Sequence, residues 1–459
     1  MINDMTEGKP AKQLIFFSLP MLLSSVFQQL YNMADSVIAG QFAGKDALSA
    51  VGASFPVTMI FMAIATGANI GCCVIVSQLF GAKETVRMKT AIMTSLLAVC
   101  ALSVLLTVVG FISCSGIMTL LNTPPEIFSD SLLYLQVYIG GLFFLFLYNI
   151  CTGIFTALGD SRTPLYFLIA SSLGNILLDL FFVAVLHMGV SGVAWATFIA
   201  QGAASLLSAA VLFKRLKAIQ TPEKAPVFSW RTLGNISVVA VPSILQQSFI
   251  SVGNLFIQGL VNGYGSDVIA GYSAAIRLNT FAITSFTTLA NGVSSFTAQN
   301  VGARKLGRIR AGFRTGVGMV ICSVLPFALL FVFFGQEMIG LFVSAEDLAA
   351  VAPTGIQFLQ IVSPFYFVVA LKLVADGVLR GSGSMVLFMI TTFTDLILRV
   401  VLAFVMAPAF GAAGIWWSWP VGWAVASALS VVFYFVLTRR LHRRFGEQEE
   451  QPAKFVGEC

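Results

Sequence analysis

Four carboxylates, Asp35, Asp179, Asp376 and Asp395, interrupt long apolar runs of this 459-residue chain. If those runs cross a bilayer, each charge is costly, and such residues mark ion or substrate paths. A carboxylate taken out of water holds its proton more tightly, and two that share a site titrate as a coupled pair. Ringed by neutral oxygen donors, the same groups could instead hold Na⁺. Asp35 and Asp179 have no basic residue in any of the first six apolar runs. Each ends a polar stripe at helical spacing: Gln28, Asn32, Asp35 on the first run and Ser172, Asn175, Asp179 on the fifth. They lie at similar depths, about 8 Å and about 12 Å from the outer ends of their runs at about 1.5 Å per residue. Tyr134 on the fourth run and Thr197 and Gln201 on the sixth sit where they could join them. A hydrogen-bonded packing network accounts for the amides and hydroxyls, but not for two uncompensated acids.

The second half treats its charges differently. Lys372 and Asp376 are four residues apart, as are Asp395 and Arg399, and i,i+4 neighbours on a helix face each other. Each pair is expected to neutralise itself. Arg277 has no local partner; it either pairs across helices with one of these carboxylates or faces a cavity. The seventh run carries Gln247, Ser251, Asn254 and Gln258 and no acid. Trp416, Trp417, Trp419 and Trp423 cluster in the last run, as an interfacial aromatic belt or as a stacking wall for a cation. Pro20 removes a backbone hydrogen bond from the first helix, giving a bend that either moves the Asp35 stripe or is static.

The positioning elements are membrane helices. The chain is 58% hydrophobic and 10% charged, where a soluble domain carries about 25% charge. Twelve apolar runs of membrane-spanning length fall at 14–40, 48–80, 90–113, 131–157, 164–187, 190–213, 232–260, 268–299, 312–334, 352–379, 385–408 and 411–438. The first is too long, and too polar in its outer half, for a cleaved signal peptide. With the N-terminus inside, all Lys and Arg except Lys45 and the intraspan Arg277, Lys372 and Arg399 fall in cytoplasmic segments. This positive-inside asymmetry predicts a multi-pass protein of the cell membrane with both termini in the cytoplasm. It also explains the net charge of +6 without nucleic acid as a partner.

The halves repeat. At an offset near 222, Pro20 matches Pro242 and Asn32 matches Asn254; Gly81-Ala82-Lys83 matches Gly302-Ala303-Arg304; Gly153 matches Gly377 and Trp195 matches Trp417. A six-span direct repeat gives parallel lobes related by an axis along the membrane normal, with a cavity between them. The predicted organisation is an N-lobe at 1–213, a cytoplasmic linker at 214–231, a C-lobe at 232–445 and a tail at 446–459. The fold class is therefore an all-α membrane protein of twelve helices in two six-helix lobes, expected to act as a monomer among membrane lipids. Seven cysteines without a CxxC and two distant histidines suggest no structural metal, and no P-loop or nucleophile–histidine pair suggests an enzyme or a cofactor.

Over its whole length the chain resembles the multidrug and toxic compound extrusion (MATE) family. The resemblance rests on Pro20 and the Gln28-to-Asp35 stretch, Ala39-Gly40-Gln41-Phe42-Ala43-Gly44, Ser77-Gln78-Leu79-Phe80-Gly81-Ala82-Lys83, Leu158-Gly159-Asp160-Ser161-Arg162-Thr163-Pro164 and Arg380-Gly381. It implies antiport of cationic or amphipathic compounds, drugs among them, driven by H⁺ or Na⁺ through alternating access. The details are most similar to the bacterial DinF-like branch. That branch implies an N-lobe ion-coupling network at Gln28, Asp35, Tyr134, Asn175, Asp179 and Thr197, with Na⁺ as a candidate ligand of Asp35, Asn175, Asp179 and Thr197, and Asn149 or Thr152 completing it. The chain departs from the Na⁺-type branch, which places carboxylates in the C-lobe cavity, although Asp376 and Asp395 keep a C-lobe site open. The alternative is a lipid-linked precursor flippase of the same superfamily. A major-facilitator transporter does not fit, because its 2–3 loop motif is absent here.

Overall fold

The computed structural model describes residues 3–38, 44–121, 123–343 and 347–449, with the side chains of 34–48 and 446–449 excepted. It is helical throughout, with no strand among the described residues. The helices are α1 (Pro10–Ile38), α2 (Gly44–Gly81), α3 (Thr85–Leu120), α4 (Pro125–Gly140), α5 (Leu142–Ala157), α6 (Arg162–Asp179), α7 (Gly189–Ala218) and α8 (Trp230–Val261). They continue as α9 (Ser266–Gly302), α10 (Leu306–Phe333), α11 (Gly335–Gly340), α12 (Leu348–Val362), α13 (Tyr366–Gly381), α14 (Met385–Phe410) and α15 (Ala412–Glu449).

Two of the expected spans are broken. The fourth is α4 plus α5, bent by 47° at Gly141. The tenth is α12 plus α13, interrupted by a 3₁₀ turn at Ser363–Phe365, where Pro364 withholds an amide donor. Among the described residues, ten helical stretches are long and apolar enough to cross a membrane, and the bent α4–α5 pair is an eleventh. The twelfth is α9, whose 37 residues exceed the roughly 20 that a bilayer needs. Polar residues are interspersed on its buried face (among them Asn279, Ser285, Ser294, Thr297, Gln299 and Asn300), which dilutes its hydropathy. The expected twelve-helix architecture holds, and the protein is a multi-pass membrane protein.

The repeat is visible in the backbone. Lys83 and Arg304, matched in sequence, both adopt left-handed φ, 60° and 57°. At each, the next amide bonds five residues back (Glu84 to Leu79, Lys305 to Asn300), and the left-handed residue bonds three back (Lys83 to Phe80, Arg304 to Val301). This is the Schellman helix terminus. The same pattern recurs at Gly159 and Gly383, with φ of 76° and 80°.

The residues group into two compact units: 1–3 with 19–251, and 4–18 with 252–459. Whereas the sequence suggests a division at the 214–231 linker, this one falls inside α1 and α8. The helix α7 runs through Ala218 into the expected linker.

In the first unit, α2, α3, α4, α5 and α7 bury a continuous apolar core that includes Phe146, Phe155, Ile92 and Met118. At one edge of it, Asp160 caps α6, accepting from the Thr163 amide at 3.1 Å and the Thr163 hydroxyl at 2.7 Å, and Arg215 of α7 ion-pairs with it. Burial alone pushes this carboxyl up, but the hydrogen bonds from Arg215 and Thr163 outweigh it and bring it down from 3.8 to about 2. A depressed carboxyl stabilises the fold above its unfolded pKa, and that contribution is lost as pH falls through about 2. Asp160→Asn is expected to cost about 2 kcal/mol near neutral pH, read as a lower melting temperature in detergent, with the difference from the parent vanishing in strong acid.

In the second unit, α13 is the central helix, and every residue from Val374 to Gly381 is buried. It packs closely because Gly377 and Gly381 face α9: a Cβ on Gly377 would lie 2.6 Å from the Ala290 carbonyl oxygen, and one on Gly381 would lie 2.3 Å from that of Ser294. Small residues spaced four apart let membrane helices approach in this way. Gly381→Val is expected to cost about 3 kcal/mol by overpacking and to lower the monodisperse yield from detergent extracts. The N-terminal segment packs in the same unit. Met5 and Thr6 are buried; Arg308 donates to the carbonyls of Met5 (2.8 Å) and Glu7 (2.9 Å); Lys305 donates to that of Thr6. Basic residues that the sequence explains by orientation alone thus also hold backbone.

Candidate functional site

The first unit holds the polar residues singled out in the N-terminal half. Asp179 is the last residue of α6 and is 1% exposed. A π-helical turn, Leu180–Val185, follows it directly. Such turns lose regular i→i−4 bonding and occur often at functional sites. One turn before Asp179, Asn175 is also buried, and its Oδ1 accepts a short hydrogen bond from the Tyr31 hydroxyl of α1. Its Nδ2 has no hydrogen-bond partner among the described residues. Helices α1 and α6 therefore meet, at a residue outside the expected Gln28, Asn32, Asp35 stripe. The residue that joins them, Tyr31, was missed by sequence reasoning, which followed Gln28, Asn32 and Asp35. Its signal was its place one turn before Asp35 on that face.

The side chain of Asp35 lies outside the described residues. Gln28 and Asn32 are exposed, and Asn32 Nδ2 lies 3.4 Å from Gln29 Oε1. Pro20 lies within a continuous α1, with the Ser24 hydroxyl donating to its carbonyl at 2.9 Å.

Tyr134, Thr197 and Gln201 line one small pocket with Tyr138, Phe198 and Leu145, between α4, α5 and α7. The bend at Gly141 opens it, and two stacked tyrosines, Tyr134 and Tyr138, with centroids 6.5 Å apart, line one wall. Asn149 and Thr152 do not line it. Asn149 donates to the Leu145 carbonyl at 2.9 Å, and Thr152 donates to that of Asn149 at 2.7 Å, both within α5.

In the second unit, Lys372, Asp376 and Asp395 form one buried cluster. Lys372 Nζ lies 2.7 Å from Asp376 Oδ2 and 3.9 Å from Asp395 Oδ2. The other oxygen of Asp376 accepts from the Thr391 hydroxyl at 2.9 Å and the Ser430 hydroxyl at 2.7 Å. The Lys372–Asp376 pair is the one expected from spacing. The expected Asp395–Arg399 pair is not formed. The Arg399 guanidinium instead lies 4.4 Å from the centroid of the Trp419 ring, and Lys372 bridges both acids. Nor do the tryptophans form an interfacial belt: Trp416, Trp419 and Trp423 are buried, and only Trp417 is exposed. Their spacing of three and four puts them on the packed face of α15. Trp416 stacks on Tyr272, and Trp419 meets Phe358 edge to face.

Arg277 is apart from this cluster. It is exposed and lines an open cleft of about 600 Å³ with Asp267, Ser273 and Asp347. Gln247 is half-buried and Asn254 is exposed. Among the described residues, no three His, Cys, Asp or Glu side chains gather into a metal site.

A model of the MatE family matches residues 20–181 and 242–405, one segment in each half. The chain belongs to the MATE family. Members of this family are transporters and not enzymes. The chain is 29% identical over 383 residues to the probable multidrug resistance protein YpnP of Bacillus subtilis, covering 83% of this chain and 85% of that one. It is 23% identical to the multidrug export protein MepA of Staphylococcus aureus, over 94% of each. A crystal structure of a MATE protein in complex with MaL6 superposes with a TM-score of 0.90 at 24% identity, covering 96% of this chain and 99% of that one. A MOP superfamily transporter from Pyrococcus furiosus superposes with a TM-score of 0.89 at 23% identity, over 96% and 98%. These structures establish the MATE fold for the chain.

Proposed function

We propose that this MATE transporter exports cationic or amphipathic compounds, drugs among them, in exchange for inward H⁺ or Na⁺, and that the ion acts in the N-terminal unit. The observation that carries this reading is the buried Asn175–Asp179 pair, met by the half-buried Tyr31, at the junction of α6 and its π turn, in spans that hold no basic residue. The names of its relatives, a multidrug resistance protein and a multidrug export protein, support the substrate class. The intraspan charge, negative in the first half and close to neutral overall, favours cations.

Cargo binds from the cytoplasm and the protein turns outward. The ion then loads Asp35 and Asp179, with Asn175 and Thr197 supplying neutral oxygens if it is Na⁺. Loading redistributes the hydrogen bonds of Asn175 and so acts on Tyr31 and α1, and cargo leaves. Ion and cargo must prefer different conformations for this exchange to run. The transporter acts as a monomer in the cell membrane, with both termini in the cytoplasm.

The test is ethidium transport by proteoliposomes under an imposed pH or Na⁺ gradient. The reading expects uptake driven by one of these gradients in wild type and its loss in Asp35→Asn protein that still folds. Transport surviving in Asp35→Asn would move coupling elsewhere. No transport of any cationic dye would leave the flippase as the better account.

A further inference from the structure

The cluster in the second unit has the make-up of a cation site whose cation is a side chain. Two carboxylate oxygens, Asp376 Oδ2 and Asp395 Oδ2, converge on one ammonium at 2.7 and 3.9 Å. Two hydroxyls, Thr391 and Ser430, hold the remaining oxygen of Asp376. Lys372, Asp376 and Asp395 are each 8% exposed or less. Oxygen-only surroundings with two negative charges are what a hard cation seeks. Arg399 does not compete for the place, because its guanidinium lies over Trp419. The backbone also permits the arrangement: Gly422 of α15 packs so closely that a Cβ there would come 3.2 Å from Asp395 Oδ1.

We infer that Lys372 is a tethered surrogate for a monovalent cation, and that its ammonium is what bars mobile cations such as Na⁺ from the second unit. With Lys372 present, and Arg399 counted as a neighbouring charge that pairs with neither acid, two acids and two bases leave the region neutral. Without Lys372, neither acid has an ion-pair partner among the described residues, and one positive charge is missing. A buried cluster short of a single charge takes up a small monovalent ion if its oxygens still converge. Lys372 thus determines ion specificity: it keeps this unit silent and leaves coupling to the other. The inference goes beyond the N-terminal coupling reading and does not depend on it, because it concerns binding at a separate cluster.

The experiment is thermal unfolding of purified Lys372→Ala protein in choline chloride and in NaCl at about 0.1 M, beside wild type and the Lys372→Ala/Asp376→Asn double variant. A ligand that binds only the folded state raises its melting temperature. The single variant is expected to melt below wild type in choline and to gain at least about 5 °C in NaCl beyond any gain of wild type. The double variant, neutral again, is expected to show no such excess. A sodium response of Lys372→Ala equal to that of wild type would overturn the inference, and so would recovery on acidification with none in NaCl. If the single variant accumulates only when extracted in NaCl, the inference stands. If it accumulates in neither salt while the double variant does, the inference fails. A fault in the N-terminal coupling reading would instead appear in wild-type transport and leave this difference unchanged.

Discussion

Asp179→Asn is expected to reduce gradient-driven export at least tenfold while leaving the amount of folded protein close to that of wild type. The side chain is buried where α6 gives way to a π turn, one turn from the asparagine that receives the Tyr31 hydroxyl. Asparagine preserves shape but cannot exchange a proton and supplies one neutral oxygen in place of a carboxylate. Loss of an ion-binding group removes the differential affinity that drives a conformational equilibrium. Dye binding in the absence of any gradient is expected to persist, because cargo and ion need not share this residue. The check is a pair of measurements on one preparation: counterflow or efflux in proteoliposomes, and equilibrium dye binding in detergent. Export close to wild type in the variant would remove Asp179 from the coupling site.

How far this site was legible depends on which atoms carry its signal. Two lone acids in spans without a base stand out against apolar sequence, and their helical stripes place Asn175 with Asp179. The partner Tyr31 gave little sign, since a tyrosine in a membrane helix is equally a packing residue, and only the meeting of α1 with α6 singles it out. Asn149 and Thr152 failed for the opposite reason: a polar side chain on a helix can satisfy itself on the carbonyl three or four residues back, and both do. The fold was more legible, because length, hydropathy and positive-inside bias act on every span. The exception is α9, where polar residues among the buried ones weaken the hydropathy but leave its length and its place in the repeat intact. In the second half, i,i+4 spacing identified Lys372 with Asp376. It could not show that Asp395, one helix away, would share the same lysine, nor that Trp419 would draw Arg399 aside. Clustering in the last span suggests an interfacial belt or a stacking wall for the tryptophans, whereas their spacing puts three of them on one packed face.

The second large effect is on stability. Asp376→Ala is expected to cost about 3–5 kcal/mol and to abolish cooperative unfolding at ordinary temperatures. The carboxylate accepts from Lys372, Thr391 and Ser430 at 2.7–2.9 Å, so its removal strands Lys372 and Ser430, whereas Thr391 can turn to the Phe388 carbonyl at 2.8 Å. Lys372 keeps Asp395 at 3.9 Å, which offsets part of the loss. Asp376→Asn retains two acceptor lone pairs and is expected to cost less, about 1–3 kcal/mol. Melting curves of the two variants in one detergent decide this. An alanine variant as stable as wild type would mean that the cluster is hydrated and not the dry network described above.

The central claim is that ion and cargo are coupled through the carboxylates of the N-terminal unit. It is tested most directly by ethidium affinity of the purified protein in detergent, with and without the coupling ion: about pH 8 against about pH 6, and choline against Na⁺, for wild type and Asp35→Asn. The account predicts that wild type loses about tenfold in affinity when the ion loads, a coupling of about 1.4 kcal/mol, and that Asp35→Asn binds ethidium equally with or without it. The same ion dependence in both proteins would contradict the account.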